Sequence, residues 1–260
     1  MNDHTQYPIT ASFALLLIGD SGTRKTTTAL QLLHNPYVCD LDNNLGGVVR
    51  WMRAQQSTGK SGWWTDKQFF YDVPDVLEPA PARRFACAVN GIKGAAKDDR
   101  VGGIIIDSST RLNELLVEQL KSMPIPGSTS TDSMTEAKWG ALGDKLIEFI
   151  MAVKTCGKPL IVVSHETWDK DEVTGVTRCY PSVQGRLRQT MARLFSDYWR
   201  TTVEGEGAGA KYLVSTAPSG RVNCKCSIPG LPVKFELDAA LLAKHFPAAP
   251  TAAPAAEVVK

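Results

Sequence analysis

This chain of 260 residues lacks any Cys-x-x-Cys pair, any strong excess of one charge and any long apolar run. Its six cysteines are scattered, and the nearest two form only Cys224-Lys225-Cys226, so we expect reduced thiols in an intracellular protein. Zinc is the alternative use of cysteine, but four ligands at a workable spacing are missing. The formal net charge of +2 excludes a global basic field, so any contact with nucleic acid would come from a local patch.

No apolar stretch approaches the roughly 20 residues that span a bilayer, and the N-terminal residues 1–10 are polar. We therefore expect a cytoplasmic protein with no membrane contact. With 43% hydrophobic residues, the chain can bury one substantial core. We divide it into an N-terminal segment over 1–12, one domain over 13–246, and a disordered Ala/Pro-rich tail over 247–260.

Strands and helices alternate along the chain. Apolar runs predict strands over 13–18, 37–41, 104–106 and 160–164, and three later strands over 197–203, 211–216 and 233–236. Helical patterns predict helices over 26–33, 81–93, 137–155, 185–195 and 238–245, and one more that carries Leu112, Leu115, Leu116 and Leu120. Turn residues predict a turn at Gly46-Gly47 and loops over 55–67 and 122–135. This alternation predicts an α/β fold with a mainly parallel, doubly wound sheet.

The most informative segment runs from Gly19 to Thr27, between the first strand and the first helix. It is typical of a phosphate-binding loop, whose backbone N–H groups converge on an anion at the positive end of the helix. Lys25 would reach the β- and γ-phosphates, and the Thr26 hydroxyl would hold Mg²⁺. The residues predicted to contact the nucleotide are Gly19, Asp20, Ser21, Gly22, Thr23, Arg24, Lys25, Thr26 and Thr27.

Arg24 stands where this motif has glycine immediately before the lysine. A Cβ and a side chain therefore occupy a place where the backbone normally approaches phosphate. Three interpretations are open: Arg24 adds a cation to the phosphates, its side chain swings outward and leaves the loop intact, or it crowds the loop and weakens nucleotide binding.

Carboxylates follow two of the predicted strands. Asp107 ends the run Ile104-Ile105-Ile106 and is predicted to bind the Mg²⁺ shell, although Asp-Ser-Ser is also good helix-capping chemistry. After the second strand we favour Asp42 over Asp40 as the group that faces the γ-phosphate and polarises the attacking water. The alternative is that these aspartates belong to a solvated turn with Asx hydrogen bonds.

Polar residues also end the fourth predicted strand. Ser164 and His165 are placed to sense the γ-phosphate through a hydrogen bond, which makes His165 a fourth candidate catalytic residue beside Lys25, Asp42 and Asp107. A polar group at a strand end is common, however, so a structural role is the alternative.

Cations and aromatic residues in the predicted loops are candidates for binding a single nucleic-acid strand, because bases stack on aromatic rings and cations hold the backbone. The alternative is a solvated surface with tryptophans packed on a neighbour. The candidates are Lys60, Trp63, Trp64, Lys170, Arg178, Arg186, Arg188 and Arg193.

Together these motifs resemble the phage-encoded RecA-like ATPases of the Sak4 single-strand annealing group, of the AAA_24 type. The likeness spans residues 13–242 and rests on the order of the motifs. Besides the phosphate loop, they are Cys39-Asp40-Leu41-Asp42 with Gly46-Gly47, Ile104-Ile105-Ile106-Asp107-Ser108, Trp139-Gly140, Val162-Val163-Ser164-His165-Glu166, and Pro181 with Gly185-Arg186 and Phe195-Ser196-Asp197. In that family the carboxylate after the second strand is usually a glutamate that acts as general base, and Asp42 matches it with one methylene fewer.

The resemblance implies a RecA-like core that binds ATP with Mg²⁺, associates with single-stranded DNA and takes part in phage recombination in the host cytoplasm. It also implies a homo-oligomer, either ring or filament, in which a neighbour's cation completes the nucleotide site; Arg178 or Arg186 could be that group. A single-stranded DNA-binding protein is a further candidate partner. The competing hypothesis is a nucleotide-binding structural or DNA-binding module with weak or no hydrolysis, because of Arg24. A metabolite kinase lacks an acceptor-binding signature here, and a GTPase lacks its Asn-Lys-x-Asp motif.

Overall fold

The computed structural model of the protein describes residues 13–236 except for residues 66, 124–132, 171, 173 and 186, and beyond them residues 238, 241, 244 and 245. The strands in these ranges are β1 Ala14–Gly19, β2 Pro36–Asp40, β3 Phe70–Asp72, β4 Gly103–Asp107, β5 Leu160–Lys170, β6 Thr177–Pro181, β7 Asp197–Glu204, β8 Lys211–Ser215 and β9 Lys234–Glu236. The α-helices are α1 Lys25–Leu32, α2 Leu45–Ser57, α3 Pro74–Leu77, α4 Pro81–Lys97, α5 Ser109–Ser122, α6 Glu136–Lys154 and α7 Leu187–Thr190.

One sheet contains all of these strands, in the order β3-β2-β4-β5-β1-β7-β8-β9, with β6 paired to β5. The pairs from β3 to β7 are parallel, whereas β6, β8 and β9 pair antiparallel. The predicted α/β class with a mainly parallel sheet and C-terminal strands is confirmed. Because β5 lies between β1 and β4, the carboxyl ends of these strands and of β2 meet at one edge of the sheet, where ligands of open α/β sheets bind.

Both faces of the sheet are covered, which explains why β1 and β4 are apolar throughout. Alternate residues of these strands enter two separate cores. One core joins the helices α4, α5 and α6 to Leu16, Ile18, Ile104 and Ile106. The other joins α1 to Leu15, Leu17 and Ile105. Among the described residues, no helix has the length and apolar character needed to cross a bilayer.

The sequence prediction for the residues after β2 is wrong. Gly46-Gly47 is not a turn but lies in the first turn of α2, a helix that the sequence patterns did not predict. The cause is Asp40, whose Oδ1 and Oδ2 accept hydrogen bonds from the backbone N–H groups of Asn44 and Leu45 at 3.1 and 3.0 Å. This carboxylate satisfies the free N–H groups at the start of α2 and offsets the low helix propensity of two glycines.

The chain after the fourth predicted strand also differs. The strand does not end at Ser164 but continues to Lys170, because residues 166–170 pair antiparallel with β6. Among the described residues of the predicted helix over 185–195, only those of α7 are α-helical, and a 3₁₀ turn over Met191–Leu194 follows it. The short strand β3 and the one-turn helix α3 were not predicted either.

Several predictions concern residues outside those that the structure describes. They are the N-terminal segment 1–12, most of the loop 122–135, the tail 247–260, Arg186, and the helix 238–245 apart from four positions. The remaining predicted strands and helices are confirmed within two residues at most ends, with α4 extending four residues further than predicted.

Candidate active site

The segment from Gly19 to Thr27 forms a tight turn between β1 and α1. Gly19 leaves no room for a side chain, because a Cβ built there would lie 2.7 Å from the Thr201 carbonyl oxygen on β7 and from Thr23 Oγ1. Gly22 has a φ of +77°, a conformation that favours glycine. Thr23 Oγ1 closes the turn by donating to the Asp20 carbonyl at 2.8 Å. The turn delivers the chain to the N-terminus of α1, where free N–H groups and the helix dipole favour an anion.

The remaining loop residues lie around this turn. Asp20 and Ser21 are exposed at its tip, where Asp20 Oδ1 accepts a hydrogen bond from the Ser21 N–H at 2.7 Å. Thr27 is half-buried in the first turn of α1. Both positions leave backbone groups of the loop accessible to a ligand.

The Lys25 ammonium group is turned into the loop. Its Nζ donates to the carbonyl oxygens of Gly19 and Asp20 at 3.0 and 2.7 Å. Burial lowers the pKa of Lys25, and the nearby carboxylates, of which Asp107 has the largest effect, offset only part of that shift. A buried ammonium group held by two carbonyl oxygens can exchange them for phosphate oxygens, which would restore the favourable charge balance.

Thr26 and Asp107 meet across the carboxyl ends of β1 and β4. Thr26 Oγ1 donates to Asp107 Oδ2 at 2.5 Å. Burial, with the negative charges of Asp42 and Asp40, raises the pKa of Asp107 from 3.8 to about 6, although the bond from Thr26 and the charge of Lys25 oppose this shift. A carboxylate whose negative charge is poorly compensated is suited to a cation.

These two oxygen donors fit Mg²⁺. In the part of the chain that the structure describes, no group of three or more His, Cys, Asp or Glu side chains is placed to hold a metal ion. Mg²⁺ at a phosphate-binding loop needs no such group, because it keeps several waters and takes its other oxygens from a hydroxyl, one carboxylate and the nucleotide. Thr26 and Asp107 supply that hydroxyl and that carboxylate.

The two aspartates after β2 have different surroundings. Asp40 is buried and caps α2, as described above, so its oxygens are already used. Asp42 lies at the strand edge, with Oδ2 at 3.4 Å from His165 Nε2. Burial alone would raise the pKa of Asp42, but hydrogen bonds from His165 and Ser108 and the charge of Lys25 outweigh it, so the pKa lies below its ordinary value.

Ser164 and His165, in the middle of β5, also have different surroundings. Ser164 is buried, and its Oγ donates to the carbonyl oxygen of His165 at 3.0 Å, so it does not face the strand edge freely. His165 pairs in register with Gly19 of β1 and is partly exposed beside Asp42. The structure therefore brings Lys25, Thr26, Asp42, Asp107 and His165 to one edge of the sheet.

Arg24 points away from this cluster. Its backbone has a φ of +64°, which costs a residue other than glycine about 1 kcal/mol. Its guanidinium carbon lies 3.5 Å from the centroid of the Tyr212 ring on β8, a cation–π contact. Of the three interpretations, this geometry matches the one in which the side chain leaves the loop backbone intact.

The predicted nucleic-acid residues that the structure describes have different surroundings. Trp63 and Trp64 pack on Trp51 of α2, with ring centroids 6.1 and 4.9 Å away, as the packing alternative expected. Arg188 pairs with Asp169 at 2.7 Å. The exposed cations among the candidates are Lys60, Lys170, Arg178 and Arg193.

The sequence patterns missed several groups of the site. Ser108 hydrogen-bonds to Asp42, although the sequence suggested only a helix cap for it, and it does accept from the Arg111 N–H as a cap. Thr110 Oγ1 accepts a hydrogen bond from the backbone N–H of His165 at 3.2 Å. The run Asp107-Ser108-Ser109-Thr110 was the available signal, since polar residues that follow a buried strand tend to line a ligand edge.

A protein-family model described as AAA domain matches residues 12–225 of the chain. No curated protein matches it. Among solved structures, a KaiC-like protein from the hyperthermophilic archaeon Pyrococcus horikoshii OT3 is 12% identical, with 78% of each chain covered and a TM-score of 0.43. Flagellar accessory protein FlaH from Methanocaldococcus jannaschii is 13% identical over 82% of this chain and 79% of that one, with a TM-score of 0.41. The family match includes the phosphate loop and both strand-end carboxylates.

Replacing Asp107 by Asn tests how much the buried charge of this carboxylate destabilises the folded chain. Below pH 3.8 the Asp107 carboxyl is protonated in both the folded and the unfolded chain, and above about 6 it is ionised in both. Only the folded chain buries that charge, so wild-type stability falls as the pH rises through this window. We expect D107N to gain, relative to wild type, on the order of 3 kcal/mol in free energy of unfolding across the same window. Urea denaturation at several pH values measures it.

The control is Asp144→Asn, which changes an exposed carboxylate on α6. A stability difference between D107N and wild type that does not vary with pH would contradict the assignment of a buried, uncompensated charge to Asp107.

Proposed function

This chain belongs to the AAA_24 family of AAA domains, and from that premise we propose that it hydrolyses ATP with Mg²⁺ and acts on single-stranded DNA in phage recombination or annealing. The family model is described as an AAA domain, and the RecA-like P-loop core is the part of the proposal that rests on the resemblance of the motifs. We also propose that the protein acts in the cytoplasm of the host cell.

The observation that carries the proposal is the meeting of Lys25, Thr26 and Asp107 with the pair Asp42 and His165 at one edge of the sheet. The groups are the Lys25 cation, the Thr26 hydroxyl with the Asp107 carboxylate, which we propose as metal ligands, and the second carboxylate of Asp42. Phosphoryl transfer depends on positioning and on charge stabilisation, and these groups are of the kinds that provide both.

Each group then has a role. Lys25 holds the β- and γ-phosphates of the substrate, and the N-terminus of α1 binds their oxygens through backbone N–H groups. Mg²⁺, held by Thr26 and Asp107, would neutralise charge on the phosphate oxygens. Asp42 orients the attacking water and accepts its proton, and the lowered pKa of Asp42 keeps it ionised for that task. His165 holds the Asp42 carboxylate and senses the γ-phosphate.

A cavity of about 680 Å³ beside the loop supports binding of a complete nucleotide rather than phosphate alone. It is lined by residues of the loop and of α1, by the tryptophans of α2 and the following segment, and by Phe235 on β9. Two of the lining residues each have a buried polar atom without a hydrogen-bond partner, Gln31 Oε1 and Trp64 Nε1. An adenine base has both a donor and acceptors on its edge, so it can satisfy the two atoms while its ring contacts the tryptophans.

The action on single-stranded DNA and the assembly into a ring or filament rest on the family resemblance and on exposed cations. Arg178 is exposed on β6, and we propose it, with Arg186, as the residue that completes a neighbouring subunit's nucleotide site. A single-stranded DNA-binding protein is the proposed additional partner.

The second candidate is a nucleotide-binding structural or DNA-binding module with weak or no hydrolysis. Arg24 favours it, because a residue with a side chain stands here in a left-handed conformation, where the motif has glycine. Hydrolysis distinguishes the two candidates, since both predict nucleotide binding.

Single-turnover hydrolysis of ATP, with and without an oligothymidylate, tests the enzyme directly. We expect wild type to hydrolyse ATP faster with the DNA, and Asp42→Asn to lose about a hundredfold or more in rate while it still binds ATP, because the base that accepts the proton is removed. Asp42→Glu, which keeps a carboxylate, is the matched control and should retain hydrolysis. If wild type binds ATP but hydrolyses it no faster than D42N does, the second candidate, a module with weak or no hydrolysis, is correct.

Gln31→Met tests the base pocket. The variant keeps the side-chain length but removes the amide, so we expect affinity for ATP to fall about threefold to tenfold, the worth of one hydrogen bond. Affinity for inorganic tripolyphosphate with Mg²⁺ should be unchanged, because this probe has no base. Titration calorimetry measures both, with Gln119→Met on α5 as control. An equal loss for the two ligands would show that Gln31 does not contact the base.

A further inference from the structure

A second cavity, of about 760 Å³, shares no lining residue with the cavity beside the phosphate loop. It is formed between the N-terminal half of α5, the start of α6, and the segment that joins β6 to α7. The lining residues used below are Thr110, Asn113, Trp139, Ser182, Gln184 and Arg188. Of these, the nucleotide site described above involves only Thr110, through the hydrogen bond that it accepts from the His165 N–H.

Asn113 is the feature of this cavity that points to a ligand. The residue is only 1% exposed, and its Oδ1 accepts a hydrogen bond from the backbone N–H of Gln184 at 3.3 Å. Its Nδ2 is buried and has no hydrogen-bond partner. A buried amide with one satisfied end and one free donor is unfavourable by itself, so it fits a ligand that brings an acceptor.

The other walls indicate the kind of ligand. Trp139 is 42% exposed at the start of α6, which leaves a large aromatic face open to solvent. The cation of Arg188 is already paired with Asp169 at 2.7 Å, and Glu114, also in the wall, is paired with Arg111 at 3.1 Å. With both charges compensated, the cavity suits a flat, neutral, polar ring rather than a free phosphate.

The cavity is connected to the catalytic groups through the main chain of His165. Thr110 Oγ1 accepts from the His165 N–H at 3.2 Å, and the Ser182 N–H donates to the His165 carbonyl at 2.7 Å. Both partners line the cavity. His165 Nε2 in turn lies 3.4 Å from Asp42 Oδ2. A ligand that moves the Ser182–Gln184 segment therefore acts on the residue that holds the proposed catalytic carboxylate.

We propose that this cavity takes one unstacked base of a single DNA strand, which stacks on Trp139 and accepts a hydrogen bond from Asn113 Nδ2, and that its occupancy is transmitted through His165 to Asp42. The inference rests on the proposed action on single-stranded DNA and names the site of it. Every base has a ring face and at least one acceptor, so binding of this kind tolerates any sequence.

Fluorescence anisotropy with two labelled strands of equal length, an oligothymidylate and its abasic counterpart, tests the site. We expect Trp139→Ala to weaken binding of the oligothymidylate about tenfold, the usual effect of one stacking ring, and to leave binding of the abasic strand unchanged. Asn113→Asp keeps the acceptor for the Gln184 N–H and loses the amide donor, so it should weaken only the base-bearing strand as well. Trp168→Ala is the matched control, because Trp168 is equally exposed, at 43%, and lies outside the cavity.

Thermal melting checks that each variant is folded, and Trp139→Ala, at an exposed position, keeps the test valid if Asn113→Asp does not fold. The same variants should lose the DNA-dependent part of ATP hydrolysis and retain ATP binding. Two results would overturn this cavity as the base site: W139A binds the oligothymidylate as tightly as wild type does, or it loses the same affinity for the abasic strand as for the oligothymidylate. The cavity would then fit a peptide partner instead. If wild type binds ATP but neither strand, the failure lies with the proposed action on DNA.

Discussion

The buried ammonium group of Lys25 is the interaction on which the proposed site depends. It has left water for two carbonyl oxygens of its own loop, and the carboxylates Asp107 and Asp42 lie close enough to offset part of the cost. Only a parallel sheet brings these groups together, because it places the carboxyl ends of β1, β2, β4 and β5 at one edge. Polyphosphate with a divalent cation, as proposed for this site, would supply the charges of both signs that this edge leaves uncompensated.

Much of the scaffold could be predicted from the sequence, since β1 and β4 are continuous apolar runs followed by turn or capping residues. The prediction failed where structure depends on distant partners. Helix α2 begins with glycines and forms because the Asp40 carboxylate reaches its free N–H groups, and β5 extends beyond Ser164 only because β6 pairs with it. Local patterns contain neither contact.

Some features of the candidate site could likewise be predicted from the sequence, and others could not. The spacing within the loop identified Lys25 and Thr26, and the strand ends identified Asp42 and Asp107. Three features follow only from the packed structure: Asp42 faces His165, Arg24 lies on Tyr212, and Gln31 Oε1 and Asn113 Nδ2 are buried without hydrogen-bond partners. These two atoms belong to residues that line different cavities, Gln31 the one beside the phosphate loop and Asn113 the one that Thr110 and Ser182 also line.

The most direct test of the central claim is titration calorimetry of the folded chain with ATP and Mg²⁺. The account predicts saturable binding that needs Mg²⁺ and is lost in Lys25→Ala, a variant whose circular dichroism should match wild type. Wild-type protein that is folded by the same criterion and gives no binding heat with ATP and Mg²⁺ at any of several temperatures would contradict it.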